Sequence, residues 1–354
     1  MKTGLSLVEM ATELERQSKA KKDYQITNAR VGMLEDGSIG LKTTDSGMME
    51  LGVSEYAHGQ IAAYTDIPKK YYDRMLENHP RLLAANVNTW LHKKEGRRLV
   101  RTLDGRCRAF LSDKYRIIDN FAVASMVLPM LSELNIESCN VDENSMYIKA
   151  FSPKLMTEVR VGDKVQWGVI ISNGEVGNQT LTIAPMSYRL VCSNGMVMND
   201  FGMKRRHIGG RSNDEIIDAE YSILSDDTIK AENNVIMRKV RDVLKASLSE
   251  SKAQEMTNVM RQAANVPIVA KSIPEVIEVV STDFGFNEDE SEGILNHLIK
   301  GGDLTKFGIA QAISRQAEDL ESYDRATDFE KLSFKAMIAS DSVWEKWNKP
   351  KKAA

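Results

Sequence analysis

Residues 97–119 read RRLVRTLDGRCRAFLSDKYRIID, and the fold class turns on the Asp104-Gly105 pair inside them. Asp-Gly supplies the positive backbone dihedrals that a two-residue hairpin turn requires. The spacing predicts two antiparallel strands with Leu103 opposite Arg106, Arg101 opposite Arg108 and Leu99 opposite Phe110. One face then carries Arg101, Arg106 and Arg108, while the other pairs Val100 with Ala109 and Thr102 with Cys107 against a core. Like charges directly opposite on a sheet destabilise it by about 0.2–1 kcal/mol, so Arg101 facing Arg108 demands an anion. A carboxylate from elsewhere in the chain answers that demand, and so does a nucleic-acid phosphate.

Working outward, residues 1–22 form an N-terminal arm or short amphipathic helix (Leu5, Leu7, Val8, Ala11, Leu14), and strands are predicted over 24–34 and 39–43. Helices follow from Ser54 to Tyr64, from Ile67-Pro68 and from Pro80, since proline suits a first helical turn. Past the hairpin, an apolar helix over 120–134 contains Pro129, which predicts a kink or early break. Strands are predicted at 145–152, 156–161, 165–172, 180–186 and 188–192, and the Gly/Asn turns between them argue antiparallel pairing. From Ser212-Asn213-Asp214-Glu215, a capping-box spacing, no proline or glycine appears before Leu248. Further helix starts are read at Ser251, Ser272 and Asn287, each with Glu or Gln three residues on, and Gly301-Gly302 closes one helix. The expected fold is α+β: a basic domain of antiparallel strands with helices over 23–212, then a mostly helical acidic domain over 213–343. A basic tail over 344–354 is expected to fray.

Composition bounds the function. The chain has 354 residues, 42% hydrophobic and 27% charged, ordinary values for a globular protein with a proper core. Its net charge of −3 hides a split: residues 1–212 hold 29 Lys+Arg against 24 Asp+Glu, and residues 213–354 hold 18 against 26. That balance predicts a basic working surface on the first part and an acidic, solvated second part. Three cysteines at irregular spacing argue against a disulfide framework and for a reducing compartment. No apolar run approaches a membrane span and no signal-peptide core opens the chain, so a cytoplasmic location is expected. Five scattered histidines and no Cys-x-x-Cys give no metal site, and no nucleophile stands at a recognisable distance from a base. No catalytic residue, metal or cofactor is therefore assigned.

Two basic segments are candidate anion contacts. Between His92 and Arg116 there are nine Lys/Arg and three Asp/Glu, with Trp90, Phe110 and Tyr115 nearby to stack on unpaired bases. The bland alternative is a solvated strand face with salt bridges to Asp104, Asp113 and Asp119. The second segment is Lys204-Arg205-Arg206-His207-Ile208-Gly209-Gly210-Arg211, whose glycines let backbone N–H groups approach a phosphate at a helix start. The glycine loop over 172–178 lacks the phosphate-binding fingerprints and is read as a turn between antiparallel strands. The expected site residues are Arg97, Arg98, Arg101, Arg106, Arg108, Tyr115, Arg116, Lys204, Arg205, Arg206 and Arg211. The expected ligand is nucleic acid, single-stranded DNA favoured, bound without catalysis and without a membrane. A homo-oligomer that anneals strands and contacts replication proteins is one version. The alternative is a protein-interaction factor with no nucleic-acid binding, its basic hairpin paired with carboxylates.

Several segments together resemble a known family. Ile67-Pro68 with Tyr72, the run Leu82-Leu83-Ala84-Ala85-Asn86-Val87-Asn88 with Trp90-Leu91, and the hairpin with Tyr115 and Ile118-Asp119 resemble the phage/plasmid-like family called domain of unknown function nine-three-two. Residues 188–195 with Arg206-His207, and residues 308–317 with Tyr323-Asp324 and Glu330, resemble its central and C-terminal blocks. The resemblance implies a phage, prophage or plasmid gene in the company of replication and recombination genes. It brings no catalytic residues.

Overall fold

The computed structural model describes residues 1–43, 47–199, 202–205, 226–270 and 272–348. Helix α1 (Leu7–Ala20) opens the chain on a capping box between Ser6 and Glu9 and buries Met10 and Leu14, so the N-terminal segment is a packed helix. Strands β1 (Lys22–Thr27), β2 (Val31–Met33), β3 (Ile39–Thr43) and β4 (Gly47–Val53) follow. A 3₁₀ turn at Asn28–Arg30 divides the single strand expected over 24–34. Next come α2 (Glu55–Tyr64), α3 (Lys69–Asn78) and α4 (Pro80–Lys93), then the hairpin strands β5 (Arg97–Leu103) and β6 (Arg106–Ser112). Ser54 caps α2 and Pro80 stands in the first turn of α4, as proline's fixed φ favours.

These strands make a six-stranded sheet in the order β1-β5-β6-β4-β3-β2. Its pairs are antiparallel except β4 with β6, a parallel contact that needs a long crossover, which α2, α3 and α4 supply. The edge strand β2 is covered by α4: Asn88 bonds the N–H and C=O of Met33 at 2.7 and 2.9 Å, and His92 one turn on meets the Val31 carbonyl at 2.8 Å. An edge so covered cannot template pairing with another chain.

The hairpin turn forms where Asp-Gly places it, with φ of 51° at Asp104 and 75° at Gly105. Leu103 opposes Arg106 and Thr102 opposes Cys107, after which the register shifts. Arg101 opposes Ala109, not Arg108; Val100 opposes Phe110, and Leu99 opposes Leu111. A β-bulge places Arg108 as an extra residue on β6, and it corrects the expected register and the expected faces. Val100, Cys107 and Phe110 pack toward the helical layer, whereas Leu99, Ala109 and Leu111 pack against Tyr115 and Val176. Both faces of the hairpin are covered.

Helix α5 (Asn120–Val127) gives way at Pro129 to a 3₁₀ turn (Leu128–Leu131), the break that proline predicts. Strands β7 (Asn135–Val141), β8 (Ser145–Glu158), β9 (Lys164–Gly174), β10 (Leu181–Arg189) and β11 (Asn194–Val197) build a second antiparallel sheet, and β12 (Met203–Arg205) adds to β10. The segments expected at 145–152 and 156–161 belong to one strand, interrupted by a register shift between Phe151 and Met156.

The remaining chain is helical: α6 (Asp226–Ser247), α7 (Glu250–Ala264), α8 (Ile273–Phe284), α9 (Glu288–Gly301), α10 (Lys306–Asp319), α11 (Tyr323–Met337) and α12 (Asp341–Asn348). Asn287 forms the expected capping box with Glu290, and Gly302 closes α9 in the left-handed region. Helix α7 is capped by Ser249, two residues before the expected start, while the Ser212 capping box lies outside the described residues. The apolar core does not divide at residue 212. One face of the second sheet packs on α1, α5 and α6, and Val159, Val165, Trp167, Met196 and Met198 share a core with α7–α12. The expected frayed tail is corrected over 344–348, where α12 buries Trp344 and Trp347 and the Trp347 indole donates to Asp283 at 2.7 Å. Residues 349–354 lie outside the described residues. Among the described residues no helix is long and apolar enough to cross a membrane.

Candidate functional site

The anion demanded by the hairpin is met from within the chain. The Arg101 guanidinium, on β5, forks onto Asp23 of β1, with Nε at 2.9 Å and Nη2 at 3.1 Å from its two oxygens. Its Nη2 also donates to Asp119 at 2.8 Å and its Nη1 to the Glu175 carbonyl at 2.8 Å. The bulged Arg108 donates to the Glu175 carboxylate and, at 2.8 Å, to the Glu143 carbonyl. Lys21, at the end of α1, completes the cluster at 2.8 Å from Asp119 and 3.4 Å from Glu175. Three cations thus meet three carboxylates. Arg101 is 0% and Arg108 1% exposed, so neither can reach a phosphate in this arrangement.

The electrostatics fit a closed cluster. Burial alone would raise the Asp119 carboxyl, but Arg101 and Lys21 outweigh it and hold the group below the usual carboxylate range. Burial pulls Arg101 down, and Asp23 with Glu175 and Asp119 more than reverses it. Of the carboxylates weighed from sequence, Asp119 takes this role, while Asp104 pairs with Arg16 of α1 at 2.7 Å. Asp23 and Glu175 were missed. Like charge at adjacent arginines signals that carboxylates exist, but not which ones.

The other expected site residues scatter. Tyr115 is buried and its hydroxyl donates to the Gly174 carbonyl at 3.3 Å; Phe110 is buried too, so neither ring is open for stacking. Arg98 is half-buried, with its guanidinium 4.0 Å from the Tyr64 ring centre and 5.0 Å from that of Phe110. Arg116 is half-buried, while Arg97 and Arg106 are exposed at opposite ends of the hairpin strands. Lys204 is exposed on β12, and Arg205 pairs through its backbone with Leu181 at the start of β10. Arg206 and Arg211 lie outside the described residues.

Trp90 is open, 44% exposed on α4, with the Lys93 ammonium 4.7 Å from its ring centre and its indole N–H on Asn86 at 2.9 Å. The turn after α4 leads directly to Arg97. Neither Arg97 nor Arg106 has a carboxylate partner among the described residues. A flat aromatic face under a cation can take an unpaired base, and an exposed guanidinium on the strand that follows can take a phosphate.

A second buried ion pair has no signature in the sequence. Lys149 of β8 lies 2.7 Å from Glu330 of α11, both fully buried, with the Tyr323 ring centre 4.7 Å from the ammonium. Burial outweighs Glu330 and lowers the Lys149 pKa. Among the described residues no group of three or more His, Cys, Asp or Glu is arranged to hold a metal ion.

Residues 109–324 match the model of a family described as a domain of unknown function (DUF932). No curated protein and no solved structure matches the chain.

Proposed function

Proceeding from a chain that belongs to the DUF932 family, we propose a non-catalytic nucleic-acid-binding protein of phage or plasmid DNA replication or recombination, with single-stranded DNA favoured. The contact surface is placed on the exposed groups around the α4–β5 turn, Trp90, Lys93 and Arg97, and not on the buried Arg101 and Arg108. The phage or plasmid setting follows from the family resemblance. The observation that carries the binding role is the exposed Trp90 face with Lys93 above it, followed seven residues on by an exposed Arg97 that has no carboxylate partner among the described residues. Arg106 offers a further phosphate contact roughly 20 Å along the strands, at about 3.3 Å per residue.

Trp90 also supplies the test. The other three tryptophans, Trp167, Trp344 and Trp347, are buried, so quenching by an added base reports on Trp90. Titration with an oligothymidylate at low salt is expected to quench fluorescence, with affinity falling as salt rises. Stacking contributes about 1–3 kcal/mol per base, so Trp90→Ala should weaken binding by roughly 5- to 150-fold. Reversing Lys93 and Arg97 to glutamate should flatten the salt dependence. Absence of both quenching and retention at low salt sinks the proposal.

A further inference from the structure

We propose that this chain assembles head to tail, the acidic and aromatic tip of the α8–α9 hairpin of one copy seating on a basic, apolar end of the next. Gly285, with a φ of 70°, turns the chain between α8 and α9. At this tip Glu288, Asp289 and Glu292 are exposed and have no cation partner among the described residues, whereas Glu290 is held by Arg325 at 2.7 Å. The acids stabilise the start of α9 through its macrodipole. Phe284 and Phe286, half-buried with ring centres 5.7 Å apart, flank them.

The other end of α9 is its opposite in character. At 1.5 Å per residue its 14 residues span roughly 20 Å, and its last turn exposes Ile299 and Lys300. Three further loops gather there. The Ile268 N–H donates to the Leu304 carbonyl at 2.9 Å, and Arg160 of the β8–β9 turn binds Asp303 at 2.9 Å and the Ala264 carbonyl at 2.7 Å. Arg189 at the end of β10 binds Asp163 of the same turn at 2.6 Å, and the Leu190 N–H donates to the Lys164 carbonyl at 3.1 Å. Val161, Leu190, Val191, Val269 and Leu304 on these loops and Ile299 on the last turn of α9 are all exposed. The acids Asp163 and Asp303 are neutralised by Arg189 and Arg160, which leaves Glu158, exposed opposite Lys164 in the β8–β9 ladder, as an acid beside the lysines. Lys164 and Lys300 are exposed and unpaired among the described residues.

Exposed apolar side chains gathered on neighbouring loops are the surface of an interaction site. Charge complementarity selects a second copy as the occupant, because the chain itself carries the matching acidic, aromatic tip. Unlike ends meeting make a heterologous interface, which closes into a ring or extends as a filament.

The test uses the full chain, stripped of nucleic acid at high salt and returned to low salt, so that its result does not depend on DNA binding. Sedimentation velocity over a concentration series is expected to show multiples of the chain mass that fall as salt rises. Ile299→Asp should return a single-chain mass. Lys164→Glu/Lys300→Glu and Glu288→Lys/Asp289→Lys should each be monomeric alone, and mixing the two in equal amounts should restore assembly. Restoration on mixing also shows that both variants are folded. A wild-type chain that stays monomeric across the series overturns the proposal, and so does an oligomer indifferent to these substitutions.

Discussion

Arg101 and Lys149 are both cations without solvent exposure on strands, yet the groups around them differ in kind. Arg101 has Asp23, Asp119 and the Glu175 carbonyl, so its fork of donors is matched on several sides. Lys149 has one carboxylate and one aromatic ring. The charged form of Arg101 is favoured by its surroundings, because the carboxylates exceed the burial cost. That of Lys149 is disfavoured, because burial exceeds what Glu330 returns. A planar guanidinium spreads its charge over fixed donors, whereas an ammonium is a compact, strongly hydrated point. The first cluster joins the two sheets through the 175–176 loop, and the second joins β8 to α11.

The widest separation between the two clusters is expected when each loses its carboxylate. Glu175→Ala removes the acceptor shared by Arg108, Lys21 and the Asn120 N–H. Arginine cannot shed its proton to escape, so the loss should approach the about 3–5 kcal/mol typical of a broken buried pair. Glu330→Ala should cost less, because Lys149 is already biased toward its neutral form and can deprotonate. Urea denaturation of both variants checks the order, and equal losses would break the distinction.

A smaller effect should come from replacing the whole Lys149 pair. Lys149→Met/Glu330→Leu exchanges two poorly compensated charges for apolar volume, and such exchanges are neutral or stabilising by about 1–4 kcal/mol. The double variant should therefore unfold at no lower urea than the wild type, although each single variant unfolds earlier. A double variant as unstable as the worse single one would mean that the Lys149 pair is as well matched as the Arg101 cluster.

This contrast also explains how much was legible in the sequence. The Asp104-Gly105 turn, Pro129 and the Asn287 capping box act through neighbouring backbone atoms, and each appears where sequence places it. The bulge at Arg108 has no local signature: the extra residue in β6 carries the guanidinium that meets Glu175, 67 positions away. Asp23 lies 78 positions from Arg101 and Glu330 lies 181 from Lys149, separations that no periodicity encodes. The packing of the tail is hidden from the sequence for the same reason. Its lysines are local, but the Asp283 that receives the Trp347 indole is 64 residues upstream. The arginine cluster announced itself through like charges in adjacent strands, whereas Lys149 stands alone on a predicted strand and gave no such sign.

The smallest expected effect is in pH. Lys149 has a folded pKa below its ordinary 10.5, so between the two values the unfolded chain holds more protons than the folded one. Stability from this group must then rise with pH across that window, by at most about 1.4 kcal/mol per unit. Asp119 is shifted in the same direction, at the acid end of the range, and there the charged form is the favoured one. Its folded pKa is held below 3.8, so its contribution is present above that value and lost as pH falls through the folded one. The wild-type curve should therefore gain on that of Lys149→Met as pH rises toward 10.5, and converge on that of Asp119→Asn only in acid. Urea midpoints measured across both ranges give these difference curves. Parallel alkaline curves for wild type and Lys149→Met would mean that Lys149 keeps its proton in the fold, leaving its site matched like that of Arg101.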